Sequence, residues 1–383
     1  MRAGRNLGVS LLFAIGLSVH AGASAELKPQ TVVGDEIVLG QTTTLTGILA
    51  QQGQANSSSS KAYFDYINSQ GGIHGRKIRL ITMDDGYSAE KAAANVKQLV
   101  EKDDVVALFG IIGTPANMAI MPYVNEVGIV NFAPYTGSEA LREQKSRWVY
   151  HVRAGYTDET HKIIDHIVVR GIKDIGVVYQ NNAFGKETLA NLERILAERK
   201  IKLSVAAPIE NDSKNVAETV KALAAVKPKA VLLITAGKPT VEVIRAYNEQ
   251  VTGTLYFAMS VMSSQASIKA LGADGVGVVV SQVAPFPFSG TTALVREYQK
   301  LMKSVDTKEL SYSSIEGFVN AKIMVEALRR AGKNLTREKL AEALDGMNKV
   351  DIGGHVVNYS KTNRQAWRDV DLTVISKDGR FLR

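Results

Sequence analysis

The sequence contains no cysteine among its 383 residues. That absence excludes disulfide bonds, thiol chemistry and lipidation of a leader cysteine. After residue 25, no apolar run reaches the ~20 residues that a membrane-spanning helix needs. The chain must therefore be held by hydrophobic cores alone, and at ~100–200 residues per domain its length suggests two domains.

Neither sign of charge is concentrated in one part of the chain. Lys and Arg number 46 against 38 Asp and Glu, which gives a net charge of +8. Because no basic run of the kind that binds nucleic acid occurs, we predict a mixed, solvated surface and no nucleic-acid partner. The modest positive balance favours anionic ligands.

Signatures of catalysis are absent or incomplete. The sequence has no G-x-S-x-G, P-loop, G-x-G-x-x-G or H-E-x-x-H motif. Residues 58–61 (SSSK) match S-x-x-K, but the S-D-N and K-T-G motifs of serine penicillin-recognising enzymes are missing, and residues 361–363 (KTN) only approach the latter. His161 and His166 are too far apart to share a helix face. We therefore predict no enzymatic activity, no metal site and no cofactor.

The first 25 residues have the pattern of a secretory signal peptide. Arg2 and Arg5 precede an apolar run over residues 7–19, and small residues follow at Ala23 and Ala25. This pattern predicts cleavage after Ala25. An uncleaved membrane anchor is the alternative interpretation.

Strand-like and helix-like segments then alternate in two comparable units, one before and one after residue 155. This order predicts an α/β fold with two doubly wound parallel-sheet lobes. The predicted strands are residues 36–42, 77–83, 105–109, 128–132, 174–179, 201–206, 229–234, 254–258, 276–281, 354–359 and 369–376. The predicted helices are residues 54–69, 89–101, 115–125, 185–199, 215–225, 240–250, 291–304, 314–331 and 336–345.

Four consecutive serines, residues 57–60, interrupt the first predicted helix. They resemble a low-complexity linker, but no proline accompanies them and an aromatic-rich segment follows. Small side chains on one helix face permit close approach of a neighbour. We therefore expect a helix with a tight contact at this point, ended by Gly71 and Gly72.

The end of the third predicted strand offers an anion site. The strand stops at Phe109, and glycines leave the backbone accessible up to Gly113. Thr114 is expected to be the N-cap of the next helix, with Pro115 at its first position. The free N–H groups of a helix N-terminus attract anions. The alternative is that Thr114 only caps its own helix.

A second candidate follows the next strand at the same edge of the sheet. Thr136 offers its hydroxyl and amide there, and Tyr135 offers a ring for stacking. The alternative is an ordinary turn in which Ser138 caps a short helix.

Several blocks of sequence, taken together and in order, resemble one family. The chain is similar to the type I periplasmic binding proteins of the branched-chain amino acid, or leucine/isoleucine/valine-binding, family of ABC transporters. The resemblance covers essentially the whole mature chain. The matching blocks are residues 44–47 (TLTG), 51–53 (QQG), 67–76 (INSQGGIHGR), 152–154 (VRA), 182–185 (NAFG) and 312–321.

The resemblance implies two lobes joined by a three-segment hinge, with a ligand bound in the cleft as the lobes close. It assigns residues 26–155 and 285–355 to the first lobe and residues 156–284 and 356–383 to the second. It also implies a monomer in the periplasm that delivers amino acids or related molecules to an ABC permease. The ligand-binding residues that it implies are Gln52, Gly113, Thr114, Pro134, Tyr135, Thr136, Tyr156, Phe184, Ala236 and Gly237.

One departure from the family concerns the ligand's ammonium group. Amino-acid-binding members place an acid in the loop that corresponds here to residues 259–264 (MSVMSS), and this loop has none. Because a buried ammonium without a partner is costly, either Asp158 or Glu316 substitutes, or the ligand lacks an ammonium. We favour a small carboxylate with an apolar or aromatic body.

Two other functions fit parts of the sequence. A ligand sensor on the same fold would pass lobe closure to a membrane receptor instead of a permease. A secreted hydrolase is the third candidate, and the missing nucleophile–base constellation argues against it.

Overall fold

Two separate β-sheets form the centres of two lobes in the computed structural model, which describes Met1 and residues 34–144, 146–304 and 310–383. The predicted signal peptide lies, apart from Met1, outside the described residues. The strands are β1 Glu36–Thr43, β2 Lys77–Asp84, β3 Ala107–Phe109, β4 Val130–Phe132, β5 Val149–Tyr150, β6 Ile175–Gln180, β7 Val205–Ile209, β8 Ala230–Ile234, β9 Leu255–Ala258, β10 Val279–Gln282, β11 Val350–Asp351, β12 Val356–Val357, β13 Asp371–Ile375 and β14 Phe381–Leu382.

Helices cover both sheets. They are α1 Ala50–Ser69, α2 Ala89–Glu101, α3 Thr114–Val127, α4 Glu139–Glu143, α5 Tyr156–Val169, α6 Ala183–Glu198, α7 Val216–Val226, α8 Lys238–Asn248, α9 Gln265–Leu271, α10 Ala293–Met302, α11 Tyr312–Ala331 and α12 Arg337–Asp345. Two short 3₁₀ turns, Ser260–Met262 and Gly272–Gly275, flank α9.

The strand orders confirm the predicted fold class. The first sheet runs β2-β1-β3-β4-β5, and the second runs β14-β13-β10-β9-β8-β6-β7. All pairs of the first sheet are parallel. In the second sheet the pairs β10–β13 and β13–β14 are antiparallel, and the remaining pairs are parallel. Central strands such as β8 are buried along their whole length, which explains why they read as continuous apolar runs.

Most predicted elements are confirmed to within a few residues, but one strand is displaced and several observed elements, of which α5 is the longest, were not predicted. The predicted strand at residues 201–206 is observed at Val205–Ile209, because Lys200 adopts a left-handed conformation (φ 56°) and a connecting segment follows it. Helix α5 was not predicted as an element. Its first turn, from Tyr156 to Glu159, is largely polar and follows Gly155, and the apolar residues with helical spacing, Ile163, Ile164 and Ile167, come only later in the helix.

Three segments connect the lobes: residues 151–155, 283–292 and 360–370. The predicted lobe boundaries stay a proposal. Val357 and Tyr359, which those boundaries place in the second lobe, pack in the core around the first sheet. The last segment therefore crosses after these residues, before β13 joins the second sheet.

The serine tract lies in α1 and contacts α11, as expected from its small side chains. Ser59 Oγ donates to the carbonyl of Ser314 at 2.5 Å, and Ser60 Oγ donates to that of Gly317 at 2.9 Å. A Cβ added at Gly317 would lie 2.2 Å from the carbonyl oxygen of Asn56. The two helices therefore approach to backbone contact, which only small residues permit.

We predict that Gly317→Ala destabilises the protein, because the added methyl group must push α1 away from α11. The expected loss in free energy of unfolding is about 1–3 kcal/mol, measured by urea denaturation. Gly346→Ala is the matched control, since a Cβ there meets nothing closer than 3.5 Å and φ is −84°. Equal stability of both variants would contradict the tight contact.

Candidate ligand-binding cleft

The loop predicted as an anion site leads from the end of β3 into α3 as expected, with one correction to the helix cap. Gly113 (φ 96°), not Thr114, is the N-cap of α3, and Thr114 is the first helical residue. Thr114 is therefore not a side-chain cap. Its Oγ1 lies 2.7 Å from Oγ1 of Thr136 in a buried contact. The positive φ at the N-cap favours glycine and turns the strand into the helix.

The loop after β4 forms the capping turn that the sequence allowed, and ligand binding by Thr136 and Tyr135 stays a prediction. Ser138 accepts a hydrogen bond from Leu141 N at 3.4 Å and so caps α4. Thr136 Oγ1 also accepts from Ser138 N at 3.2 Å, while Ser138 Oγ donates to Glu187 of the second lobe at 2.7 Å. The turn thus fixes the threonine hydroxyl and links the lobes.

Aromatic side chains from both lobes meet beside the two threonines. The rings of Tyr156 and Phe184 have centroids 4.8 Å apart. They share a buried apolar cluster with Tyr135, Leu49 and Ile112 of the first lobe. Burial raises the pKa of Tyr135 and of Tyr156, so both hydroxyls stay neutral.

The remaining predicted residues also lie where the lobes meet. Gln52 Nε2 donates to the carbonyl of Val261 across the cleft at 3.1 Å. A Cβ at Gly237 (φ 63°) would lie 2.2 Å from the carbonyl oxygen of Ile48. Pro134 and Ala236 are buried and directly precede Tyr135 and Gly237, respectively. All ten predicted site residues are therefore buried at or beside one interlobe surface.

A buried arginine occupies the first crossing segment next to this surface. Arg153 is 1% exposed, and its guanidinium lies 4.5 Å from the centroid of the Tyr135 ring. It donates from Nη2 to the hydroxyl of Ser260, in the second lobe. Its Nε and Nη1 have no hydrogen-bond partner among the described residues. A positive charge with free donors thus faces the junction of the lobes.

Two glutamates balance this charge. Glu159 Oε1 lies 3.9 Å from Arg153 Nη2, and Glu316 Oε1 lies 3.7 Å from Nη1. Although burial opposes the charged guanidinium, these acids raise the pKa of Arg153. Both pairs are longer than hydrogen bonds, so the guanidinium is held by charge and by the Ser260 contact.

Glu159 is fully occupied by its neighbours. It accepts from Ser260 N at 2.8 Å, from Ser260 Oγ at 3.0 Å and from Ser281 Oγ at 2.5 Å. It therefore contacts the acid-free loop where the family usually carries an acid. Asp158, one of the two acids expected to substitute, instead accepts from Gly155 N at 2.9 Å and closes the first turn of α5.

Glu316, the other expected substitute, is the less constrained carboxylate. Burial raises its pKa from 4.5 to about 6, Arg153 opposes this rise, and Glu159 adds to it. Near pH 6 this side chain is therefore divided between its charged and neutral forms. A ligand that brings a charge close to Glu316 shifts this balance.

The described residues contain no helix long and apolar enough to cross a membrane. Within the same part of the chain, no three His, Asp or Glu side chains are grouped to hold a metal ion.

Comparison with known proteins agrees with this architecture. The family model described as "Periplasmic binding protein" matches residues 36–380. The chain belongs to this family. The fold, with its two α/β lobes, is that of the type I periplasmic binding proteins, and the relatives place it with the leucine/isoleucine/valine-binding type.

Three relatives of the periplasmic binding protein illustrate the likeness. A substrate-binding periplasmic protein from Ralstonia solanacearum is 30% identical and covers 90% of this chain and 99% of its own, with a TM-score of 0.85. Leu/Ile/Val-binding protein homolog 7 from Brucella melitensis is 21% identical over 97% of this chain and 96% of its own length. An amino acid binding protein from Pseudomonas aeruginosa is 25% identical over 182 residues, and the match spans 45% of that protein.

Sequence reasoning missed the charged group at the base of the cleft of this binding protein. Arg153 was noted only as part of a family block, and Glu159 was not singled out. The available signal was a lone arginine three residues after the short strand β5, followed by Ala154 and Gly155. Its partners lie 6 and 163 residues away along the chain, so local patterns do not connect them.

We predict that the stability of the binding protein falls as pH rises from about 4.5 to about 6. The folded chain keeps a proton on Glu316 that the unfolded chain releases in this interval, so deprotonation favours unfolding. The contribution is about 2 kcal/mol at ~1.4 kcal/mol per pKa unit. Urea titrations of wild type and Glu316→Gln across this range measure it.

Glu316→Gln should remove this part of the pH dependence, since glutamine cannot titrate. Glu342→Gln, at an exposed position of α12, is the control and should keep the wild-type pH dependence. Parallel curves for wild type and Glu316→Gln would show that Glu316 does not titrate in this range.

Proposed function

We propose that this chain is the substrate-binding component of an ABC importer, works in the periplasm and binds a small organic carboxylate in the cleft between its lobes. The family and the relatives support a transport binding protein. Its role is to bind and release a ligand without a covalent change.

The observation that carries the proposal is a buried pair of threonines, one at the start of α3 and one in the loop after β4. Thr114 and Thr136 hold their hydroxyls 2.7 Å apart beside the free N–H groups of a helix N-terminus, where a carboxylate is favoured. The cation of Arg153 lies beyond the adjacent Tyr135 ring. A carboxylate would therefore bond to the neutral hydroxyl and N–H donors, and the positive charge of Arg153 would lie behind the Tyr135 ring.

The rest of the cleft suits an apolar ligand body. Tyr135, Tyr156 and Phe184 present buried rings, and Leu49 and Ile112 add aliphatic surface. Removing such a body from water contributes roughly 25 cal/mol per Å² of apolar surface. The aromatic lining supports an aromatic or branched aliphatic side group.

Closure of the lobes couples binding to transport in this proposal. Hydrogen bonds join the two lobes at Gln52–Val261, Ser138–Glu187 and Gln51–Ala266. A ligand that contacts both lobes favours this arrangement over an open one, because it binds the closed state better. The surface formed by both closed lobes is then what a permease recognises.

We predict that Thr114→Val and Thr136→Val each weaken carboxylate binding about 10- to 100-fold, because each removes a hydroxyl that bonds to a charged group. The ligand is first identified by a thermal-shift screen of amino acids, aromatic acids, aliphatic acids and amides. Affinity is then measured by titration calorimetry. Thr219→Val removes a buried hydroxyl of the second lobe that contacts Pro208, and it should leave affinity unchanged.

Unchanged affinity in both cleft variants would refute the threonine site. A screen in which only uncharged amides bind would refute the carboxylate itself, whatever the variants do.

We predict that carboxylate binding near pH 6 takes up protons. A ligand anion near the cluster raises the pKa of Glu316, which starts at about 6, and so favours its neutral form. Calorimetry in two buffers of different ionisation enthalpy measures this uptake. Glu316→Gln is the control and should show none.

Proton release on binding would contradict a ligand without an ammonium. It would indicate instead that the ligand brings a positive charge to Glu316, as an amino acid does.

A further inference from the structure

A second pocket lies on the first lobe, beside the first and third crossing segments. It has a volume of about 390 Å³ and is formed by α4, the end of β5 and residues 361–368. His151 pairs with Gln365 in a parallel bridge at its centre. We call it the crossing pocket. It shares no lining residue with the ligand-binding cleft.

The crossing pocket is strongly basic. Four cationic side chains line it, and none of the described residues in its wall is acidic. Lys361 and Arg368 are exposed and form no salt bridge with other described residues. The lining cations are Arg142, Lys361, Arg364 and Arg368.

The terminal nitrogens of Arg142 and Arg364 bond to the protein, whereas the Nε–H of each side chain stays unpaired. Arg364 Nη2 pairs with Asp345 at 2.9 Å, and Arg142 donates to the carbonyls of Ser138 and Arg153, each at 2.9 Å. The Nε–H of both arginines has no hydrogen-bond partner in the described part of the chain. The positions of these two donors are therefore fixed, but their bonds are not satisfied.

Two further buried polar atoms in the wall have no partner. They are Nδ1 of His151, which is 4% exposed, and Nε2 of Gln365, which is 9% exposed. Buried polar groups without partners are costly and rare, so each such atom calls for a bonding partner that protein atoms do not supply. Burial, with the nearby charge of Arg142, keeps the pKa of His151 well below 6.5, so its ring is a neutral hydrogen-bonding group.

We propose that the crossing pocket binds a small organic anion that carries two or more carboxylate or phosphate groups. Lys361 and Arg368 hold one group at the mouth, and the other lies against the wall that carries the unpaired Nε–H donors and the Gln365 amide. Charge-assisted bonds of this kind are strong and directional. The pocket is many times larger than the ~30 Å³ of one water molecule, so it has room for more than one charged group.

The test uses citrate and pyrophosphate as probes with the full mature protein at constant ionic strength. Titration calorimetry should show saturable binding of at least one probe below about 10 mM. The double variant Lys361→Gln/Arg368→Gln should weaken it at least tenfold. Gln365→Leu, which removes one buried donor, should also weaken it.

The matched control is Lys202→Gln/Lys221→Gln, which removes the same charge from exposed positions of the second lobe and should leave binding unchanged. Thr114→Val, in the ligand-binding cleft, should also leave it unchanged. Circular dichroism checks that Gln365→Leu folds, and the exposed double variant tests the pocket on its own if it does not.

Three outcomes would overturn the proposal. These are no saturable binding of either probe, equal weakening by both double variants, and loss of binding in Thr114→Val alone. Equal weakening would indicate that binding depends only on the net charge of the protein. Loss in Thr114→Val alone would indicate that the probe binds in the cleft. Failure here leaves carboxylate binding in the cleft untouched, since different residues carry it.

Discussion

A single buried guanidinium constrains how the two lobes meet. Arg153 is 1% exposed, and a charge removed from water is tolerated only when opposite charges and hydrogen bonds replace the solvent. The replacements come from both lobes: Tyr135 and Glu316 from the first, Glu159 and Ser260 from the second. Because all must be present together, the crossing segment that carries Arg153 sets the geometry of the cleft.

The charges around Arg153 also bear on ligand choice. One guanidinium is paired with two carboxylates. Glu159 accepts hydrogen bonds from serine donors, whereas Glu316 has its ion pair with Arg153 and no serine donor among the described residues. The protonation state of Glu316 therefore sets the net charge that a ligand encounters. For the carboxylate that we propose, cleft and ligand would be matched by the sum of their charges as well as by shape, without an acid in the loop after β9.

Local patterns in the sequence were sufficient for the fold but not for the centre of the site. Buried strands such as β8 and capped helices such as α2 carry their signals in neighbouring residues. The threonine loops follow from a general rule about strand ends, although the exact cap at Gly113 does not. Arg153 and Glu316 are far apart in the chain and meet only through tertiary packing, so no local period indicates their pairing.

The glycine at the start of α8 has a consequence for the range of lobe motion. At Gly237 the backbones of the two lobes face each other so closely that a Cβ would lie 2.2 Å from Ile48 O. Closure is thus stopped by main chain against main chain. Any side chain at this position would hold the two backbones apart, so this one glycine sets how far the lobes can close.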